Sequence, residues 1–265
     1  MINPSNLKRK TVKDLVNKES IICLTAYTRL IAEIVDEFVD VILVGDSVGT
    51  VLYGFETTRE VSLEIMIRHA KTVYDATKKS FIVVDMPFGT YEKSKEQAYR
   101  NASELLEKSC ACAIKLEGGT EIEKTVAYLV KKKINVMGHV GFLPQSVSKK
   151  NQNKVFGKLK GDKVKIFKDI HSLKKSGVFS IVIEATTAKL VEEILEEYDF
   201  PFIGIGASQK CKGQIIVTED LIGLTEFEAK FVKKFCNIRK IIKSAIKRYK
   251  IEVENKKFPN KTYLY

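Results

Sequence analysis

The segment that decides the fold is FIVVDMPF at residues 81–88, an apolar run that ends in a carboxylate. Several apolar residues in a row, without alternation, are typical of a strand buried on both faces of a parallel sheet. The pattern recurs in VILVGDS (41–47), AIKLEGG (113–119), INVMGHVG (134–141), SIVIEA (180–185) and FIGIGA (202–207). Each run ends in a polar side chain or a glycine turn, and the recurrence predicts a sheet of parallel strands.

Two further runs, IICLTA (21–26) and QIIV (214–217), bring the number of predicted strands to eight. Helical segments separate them, and eight strands that alternate with helices close a (β/α)8 barrel. The length of 265 residues suits one such barrel, for which roughly 250 residues is typical. We therefore predict an α/β fold, a TIM barrel with additional N- and C-terminal helices, as a single domain over 1–265.

The intervening segments carry apolar residues at helical spacing. We predict helices at 94–109, 162–176, 186–198, 225–236 and roughly 238–254. Capping-box spacing marks three helix starts, at Ser94 with Gln97, Thr120 with Glu123, and Thr225 with Glu228. In the second of these helices, the predicted buried face is Val164, Phe167, Ile170 and Leu173. Gly177 is then expected to terminate that helix.

The net charge of +12 could indicate a polyanionic partner. The lysines, however, are spread along the chain, with clusters at 131–133 and 149–154 and a basic stretch from 230 to 250. No zinc-ligand spacing or aromatic-basic interleaving accompanies them. We interpret the charge as solvated helix faces, with attraction of anionic ligands as the alternative, and we predict no nucleic-acid partner.

Cysteine usage and hydropathy bear on the compartment. The five cysteines are an odd number without C-x-x-C spacing, which favours unpaired thiols in a reducing environment. No apolar run approaches the roughly 18 residues that a membrane span needs, and the start of the chain lacks the apolar stretch of a secretory signal. We expect a cytoplasmic protein without a membrane partner.

Three carboxylates follow neighbouring strands of the predicted barrel. Asp46, Asp85 and Glu117 end the second, third and fourth runs, and the C-terminal ends of all barrel strands meet at one rim. Neighbouring strands are about 4.8 Å apart, so the three side chains can reach one point. Carboxylate oxygens suit a hard cation such as Mg²⁺. Helix capping or pairing with lysine is the alternative for two of them.

Three other polar residues end or approach the ends of strands. Glu184 follows the apolar SIVI, where a carboxylate can serve as a general base or pair with a barrel lysine. Lys115, two residues before Glu117, is placed to hold a substrate carboxylate or to pair with Asp85 or Glu117. His139 in GHVG is more often structural than catalytic, and we assign it only a possible site-shaping role.

These motifs resemble one known family closely. The segments that match the ketopantoate hydroxymethyltransferase family are GDSVG (45–49), DMPFGTY (85–91), KLEGG (115–119), GHVGFLPQSV (138–147), IE (183–184) and GIGA (204–207). The match is collinear from Thr11 to about Pro259, nearly the whole chain. The order and number of the motifs make the resemblance specific.

The resemblance implies a (β/α)8 barrel of the phosphoenolpyruvate/pyruvate-like kind that assembles into a homo-oligomer, a homodecamer. It implies transfer of a hydroxymethyl group from 5,10-methylenetetrahydrofolate to 3-methyl-2-oxobutanoate, the first step of pantothenate synthesis, with one Mg²⁺ per subunit. By resemblance, the metal positions are Asp46, Asp85 and Glu117. The keto-acid positions are Asp46, Ser47, Asp85 and Lys115, and the proton acceptor is Glu184.

Four residues depart from the family's usual pattern: Thr28, Phe156, Ser208 and Lys212. None coincides with a metal, keto-acid or base position. We expect them in loops that shape folate binding or subunit contacts. Two other hypotheses stay open at this point. One is a Mg²⁺-dependent lyase or mutase on a related barrel, which also enolises a 2-oxo acid, and the other is a basic nucleic-acid-binding protein with salt-sensitive affinity.

Overall fold

The computed structural model describes residues 8–146 and 154–265. The chain divides into two compact units with the boundary between Ile216 and Val217. The first unit holds the barrel and the second holds the C-terminal helices. None of the helices in the described ranges combines the length and apolar character needed to cross a bilayer.

The first unit is a closed barrel of eight parallel strands in sequential order, as predicted. The strands are β1 (Ile21–Thr25), β2 (Val41–Val44), β3 (Phe81–Asp85), β4 (Ala113–Glu117), β5 (Val136–Gly141), β6 (Ser180–Glu184), β7 (Phe202–Ile205) and β8 (Gly213–Ile216). The barrel closes where β1 pairs with β8, in the register Cys23 opposite Ile215. Because all strands run the same way, their C-terminal ends form one rim.

The helices of the barrel unit are α1 (Val12–Val16), α2 (Arg29–Val35), α3 (Leu63–Ala76), α4 (Lys95–Ser109), α5 (Glu123–Lys131), α6 (Lys160–Ser176) and α7 (Ala188–Glu197). Helices α2 to α7 each connect two successive strands. The predicted alternation fails at one place, because residues 206–212 join β7 to β8 without a helix. The helix α1 precedes β1.

Strand alternation separates two apolar layers. Along β3, Phe81 and Val83 belong to the cluster that fills the barrel interior, whereas Ile82 and Val84 belong to the larger cluster between the strands and the helices. The period of two therefore directs Asp85 inward, above Val83. A strand that is buried on both faces has an uninterrupted run of apolar residues, which explains why the strands could be predicted from the sequence.

The buried face of α6 differs from the prediction. Ile166, Ile170 and Leu173 are buried, while Phe167 is half-buried and Val164 is 62% exposed. Residues three apart on a helix of 3.6 residues per turn drift by about 60° per step, so a row at i, i+3, i+6 and i+9 leaves the buried face. A row that mixes steps of four and three stays on it.

Of the three predicted capping boxes, one is confirmed in part. The Ser94 side chain accepts from the Gln97 amide at the start of α4. Thr120 does not cap α5, which begins at Glu123, because its hydroxyl donates to Asp169 Oδ1 at 2.8 Å. The hydroxyl is therefore used for tertiary contact. Gly177 ends α6 in the left-handed region, as predicted.

The second unit contains α8 (Thr218–Leu221) and α9 (Ile238–Glu254). The predicted helix at 225–236 is wrong, because this segment is irregular. The Thr225 hydroxyl donates to Asp220 instead of capping a helix. The Phe235 amide donates to Leu221 O at 2.8 Å, so the segment folds back on α8. The helix predicted at roughly 238–254 is present.

Candidate active site

Two carboxylates and a lysine meet on adjacent strands at the rim. The Asp46 amide, just beyond β2, donates to Asp85 Oδ2 at 3.1 Å. Asp85 and Lys115 are register partners on β3 and β4, and Lys115 Nζ lies 2.9 Å from Asp85 Oδ1. All three side chains are almost fully buried. The pairing of Lys115 with Asp85 is the ion pair that the sequence had left as one of two readings.

His139 connects this cluster to Glu184. Its Nδ1 lies 3.3 Å from Lys115 Nζ and 3.7 Å from Glu117 Oε1. Its Nε2 lies 3.1 Å from Glu184 Oε2. Glu184 therefore faces a histidine rather than a lysine. The Glu184 side chain is 16% exposed, which makes it the most accessible of these groups.

The positions on the barrel separate the carboxylates into two sets. Asp46, Asp85 and Glu117 follow β2, β3 and β4, whereas Glu184 ends β6. In a closed barrel of eight strands, β6 lies opposite β2. The strand β5, which carries His139, lies between β4 and β6, and His139 is the register partner of Glu117. His139 therefore lies between Glu117 and Glu184.

Burial and mutual repulsion change the protonation of the cluster. Burial raises the pKa of Asp46 well above its ordinary value, and the Asp85 and Glu117 carboxylates raise it further. Burial acts to lower the pKa of Lys115, but the three carboxylates outweigh it and hold that pKa above 10.5. Lys115 is therefore charged at neutral pH. Its single charge faces three carboxylates.

The pKa of His139 results from opposing effects. Burial and the Lys115 ammonium act to lower it. The carboxylates of Glu117 and Glu184 outweigh both, so the pKa of His139 is raised above 6.5. An imidazole in this setting can hold a proton between the two carboxylates.

Ser47 lies beside the cluster and makes a defined contact. Its Oγ is 2.7 Å from the hydroxyl of Tyr27, a fully buried residue in the loop after β1. His69 Nδ1, on α3, lies 2.7 Å from the Tyr27 carbonyl oxygen. The sequence assigned no role to Tyr27, although its neighbour Thr28 was noted as a departure from the family.

A glycine at the end of β5 allows the backbone around Glu184 to approach. Gly141 is the register partner of Glu184 and has φ +93°, in the left-handed region. A Cβ atom at Gly141 would lie 2.2 Å from the Glu184 carbonyl oxygen. Only glycine therefore fits, and the close approach sets where the Glu184 backbone lies.

Gln145, which the sequence analysis missed, connects two of the rim carboxylates. Its side-chain amide donates to Asp46 Oδ2 and its backbone amide donates to Glu117 Oε2. Tyr91 donates to Gln145 Oε1. Both residues stand inside the family motifs, GHVGFLPQSV and DMPFGTY, but no spacing rule distinguishes a glutamine that binds carboxylates from a glutamine in a polar loop.

Carboxylates of this kind fit a hard cation without forming a complete cage. Within residues 8–146 and 154–265, no three or more His, Cys, Asp or Glu side chains are already arranged around one metal position. Mg²⁺ commonly takes one or two protein carboxylates and completes its shell with water and substrate. Asp85 Oδ1 is buried and accepts no hydrogen bond of good geometry within the described chain, although Lys115 lies close to it. The donor set is therefore suitable for Mg²⁺.

Phe156, one of the four departures, lies near Glu184. Its amide donates to the Ala185 carbonyl at 2.8 Å, and its carbonyl accepts from the Thr187 amide at 2.9 Å. Phe156 is thus held directly beyond the C-terminal end of β6. Of the connection 142–159 between β5 and α6, which contains Phe156, residues 147–153 lie outside the described residues.

The other departures are distributed around the barrel. Thr28 precedes α2 without a side-chain cap, and the buried Ser208 lies in the β7–β8 connection. Lys212 lies directly before β8, and its Nζ donates to the Val16 carbonyl at 2.7 Å. Lys212 is therefore at the N-terminal end of the barrel, away from the rim. That position cannot shape a folate site at the rim.

A closed parallel barrel with charged side chains gathered at the C-terminal ends of its strands is the arrangement of a (β/α)8-barrel enzyme. Within that class, the chain belongs to the ketopantoate hydroxymethyltransferase family, whose sequence model matches residues 7–261.

Named relatives agree with this assignment. A 3-methyl-2-oxobutanoate hydroxymethyltransferase of Pelagibacter ubique is 47% identical over 249 residues, which cover 94% of this chain and 95% of the relative. The protein of the same name from Rhizobium etli is 44% identical over 240 residues, 90% of this chain and 88% of the relative. The protein of that name from Brucella canis is 39% identical over 265 residues, which cover 100% of this chain and 96% of the relative. The family is one of transferases.

Solved structures share the fold at low sequence identity. A 2,3-dimethylmalate lyase, a member of the PEP mutase/isocitrate lyase superfamily, matches with a TM-score of 0.61 and 10% identity, over 96% of this chain and 87% of that one. The phosphoenolpyruvate phosphomutase of Streptomyces platensis subsp. rosaceus matches with a TM-score of 0.64 and 9% identity, over 97% and 92%. The likeness confirms the barrel type.

Proposed function

We propose that the chain transfers a hydroxymethyl group from 5,10-methylenetetrahydrofolate to 3-methyl-2-oxobutanoate, giving ketopantoate and tetrahydrofolate in pantothenate synthesis. The observation that carries the proposal is the division of the rim. Asp46, Asp85 and Glu117 lie on one side, Glu184 lies opposite, and Lys115 and His139 lie between them. A carbon acid bound across the barrel mouth would meet a cation site at one end and a base at the other.

The residues that would hold Mg²⁺ are Asp46, Asp85 and Glu117, one ion per subunit. Bound there, Mg²⁺ supplies a Lewis acid that stabilises negative charge on the oxygen of a 2-oxo acid. The single compensating charge of Lys115 among three carboxylates supports a further cation among these groups. Lys115 and Ser47, with the two aspartates, would orient the carboxylate and keto group of the substrate.

Glu184 is proposed as the general base. Its carboxylate accepts the C3 proton of the keto acid, and the electron pair of that C–H bond forms the enolate. With one water, both C–N bonds of the methylene unit break and the two folate nitrogens each take up a proton. C3 attacks the released one-carbon unit at the formaldehyde level, and its oxygen takes the proton held by Glu184. The accessibility of the Glu184 side chain supports this role, because the other rim carboxylates are more deeply buried. His139, 3.1 Å from Glu184, orients the carboxylate.

The test separates proton removal from transfer. In D₂O with Mg²⁺, the exchange of the C3 proton of 3-methyl-2-oxobutanoate is followed by NMR without folate. We expect Glu184→Gln to slow this exchange by about 10²–10⁴-fold, while the affinities for keto acid and metal are retained. Glu193→Gln on α7 is the matched control, since the Glu193 side chain is 33% exposed and forms an ion pair with Lys163.

Three results would count against the proposal. Undiminished exchange in Glu184→Gln would show that Glu184 is not the base. Exchange without ketopantoate when 5,10-methylenetetrahydrofolate is supplied would remove the proposed donor. Cleavage of a 2-oxo acid derivative in place of transfer would favour the lyase hypothesis over this one.

We also propose that the chain forms a homo-oligomer, a homodecamer as in the family, in the cytoplasm, without a nucleic-acid or membrane partner. Leu30 and Ile34 lie four residues apart on α2 and are 73% and 60% exposed, and Phe38 just after the helix is 70% exposed. The five cysteines are all free, which suits a reducing compartment. Light scattering of the purified chain would give the subunit number, and a monomer would overturn the proposal.

A further inference from the structure

Gln145 is buried at the rim although it belongs to a connecting segment. It follows β5 by four residues and is 2% exposed. A glutamine in a connecting segment is usually solvated, because its amide then satisfies its hydrogen bonds with water. Burial of such a side chain requires specific partners.

The side-chain amide and the backbone amide of Gln145 both have partners in the site. The side-chain Nε2 donates to Asp46 Oδ2 at 2.8 Å and to the Met86 carbonyl at 3.0 Å. Oε1 accepts from the Tyr91 hydroxyl at 2.8 Å. The backbone amide donates to Glu117 Oε2 at 3.0 Å. The side chain thus uses both of its N–H donors and its carbonyl oxygen.

The partners also determine the orientation of the amide. If the group were rotated by 180°, Oε1 would face Asp46 Oδ2 and the Met86 carbonyl, which are both acceptors. Two acceptors in contact repel each other, whereas the observed orientation satisfies every group. The Tyr91 hydroxyl, whose oxygen also lies 3.2 Å from the Glu117 carbonyl oxygen, contacts the opposite side of the amide.

The consequence concerns the spacing of two candidate metal ligands. Asp46 follows β2 and Glu117 ends β4, with β3 between them, so neither strand pairing nor direct contact sets their separation. Gln145 holds one oxygen of each carboxylate. The donors are uncharged, so they orient the carboxylates without the repulsion that a lysine would exert on an incoming cation.

We propose that Gln145 is a positioning residue that presents Asp46 and Glu117 to the divalent cation, with Tyr91 acting through it. The inference rests on the proposed function, because it assumes that these carboxylates bind the cation. Groups that hold metal ligands by hydrogen bonds commonly change metal affinity by about 10–100-fold when they are removed.

The test measures Mn²⁺ binding by EPR, which reports free Mn²⁺ and does not depend on turnover. Gln145→Met keeps the length of the side chain and removes its side-chain hydrogen bonds, including the one to Asp46, while the backbone amide that donates to Glu117 remains. We expect its Kd for Mn²⁺ to rise by about 10–100-fold. Asn135→Leu is the matched control, since the Asn135 side-chain amide donates to the Cys112 carbonyl at the other end of the strands. The Kd of Asn135→Leu for Mn²⁺ is expected to stay within about twofold of the parent value, well below the rise of about 10–100-fold expected for Gln145→Met.

A second variant distinguishes positioning from general support. Tyr91→Phe removes one hydroxyl and keeps the ring, and we expect a smaller loss of Mn²⁺ affinity. In the Gln145→Met background the same change is expected to add nothing, because Tyr91 would act through Gln145. Equal effects of Tyr91→Phe in both backgrounds would overturn the inference, as would wild-type Mn²⁺ affinity in Gln145→Met.

The outcomes also separate this inference from the proposed function. If the parent binds Mn²⁺ and exchanges the C3 proton while Gln145→Met binds Mn²⁺ equally well, only the role of Gln145 is wrong. If the parent binds no Mn²⁺, the proposed cation site fails and the role of Gln145 fails with it. Urea unfolding of every variant identifies a general loss of stability, which Asn135→Leu is expected to share without a change in Kd.

Discussion

The two ends of the barrel are built from the same strands and have opposite chemistry. At the C-terminal ends, Asp85, Lys115 and His139 are buried charged or titratable groups that contact one another. At the N-terminal ends, Phe81 and Ile21 belong to a cluster that is closed by Leu15 of α1. In the barrel interior, the C-terminal end is ordered by charge and hydrogen bonds, and the N-terminal end by apolar packing.

The difference shows how a barrel separates stability from chemistry. Burial of an apolar side chain lowers the free energy of the folded state without specific geometry. A buried charge costs free energy unless a partner compensates it. The rim therefore depends on each member of its network, whereas the apolar end depends mainly on filled volume. Three substitutions test this comparison, and they are ordered by expected effect.

The largest effect is expected at the rim, for Lys115→Met. The change removes the one lysine among three carboxylates, and breaking a buried pair typically costs about 3–5 kcal/mol. Because the pKa of Lys115 lies above its ordinary 10.5, the stabilisation is fully present at neutral pH and is lost only as the pH rises through the folded-state value. Urea unfolding of metal-free protein at pH 8 measures the cost.

The same variant has an internal control in pH. At pH 5, protonation of Asp46, whose pKa burial and the neighbouring carboxylates raise well above its ordinary value, would reduce the repulsion left by Lys115→Met, so the destabilisation should shrink. A cost below about 1 kcal/mol at pH 8, the value of a surface ion pair, would contradict the view that the rim is an interdependent charge network.

At the opposite end, Leu15→Ala is expected to destabilise the fold by about 3 kcal/mol, within the usual range for a buried leucine. Leu15 is 2% exposed, whereas its neighbour Val16 is 38% exposed and serves as the control as Val16→Ala. Keto-acid affinity should not change in either variant. A parallel loss of stability and keto-acid affinity in Leu15→Ala would show that the two ends are coupled.

The smallest effect on stability is expected for Gly141→Ala, about 1–3 kcal/mol from backbone strain. The new Cβ would lie 2.2 Å from the Glu184 carbonyl oxygen. The activation free energy of C3 proton exchange should therefore rise by more than the free energy of unfolding falls. Gly161→Ala in α6 is the control, because nothing lies within 4 Å of its added Cβ. Exchange at the parent rate in Gly141→Ala would mean that the Glu184 backbone does not depend on this glycine.

The sequence by itself determined the barrel and the membership of its rim. Strands buried on both faces read as uninterrupted apolar runs, and the parallel arrangement brings their ends together. Asp85, Lys115 and Glu184 could therefore be assigned to one rim before any coordinates. The helix at 225–236 was wrong because local apolar spacing cannot show that Thr225 bonds to Asp220 instead of capping a helix.

The tertiary structure decided which rim residues contact each other. The sequence left two roles open for Lys115, and a choice between general base and ion pair for Glu184. Only the tertiary structure showed that Lys115 contacts Asp85 and that Glu184 contacts His139. Gln145 was missed for the same reason. Periodicity reports which side of an element a residue occupies, whereas a hydrogen bond between residues 99 positions apart depends on how the loops close over the barrel.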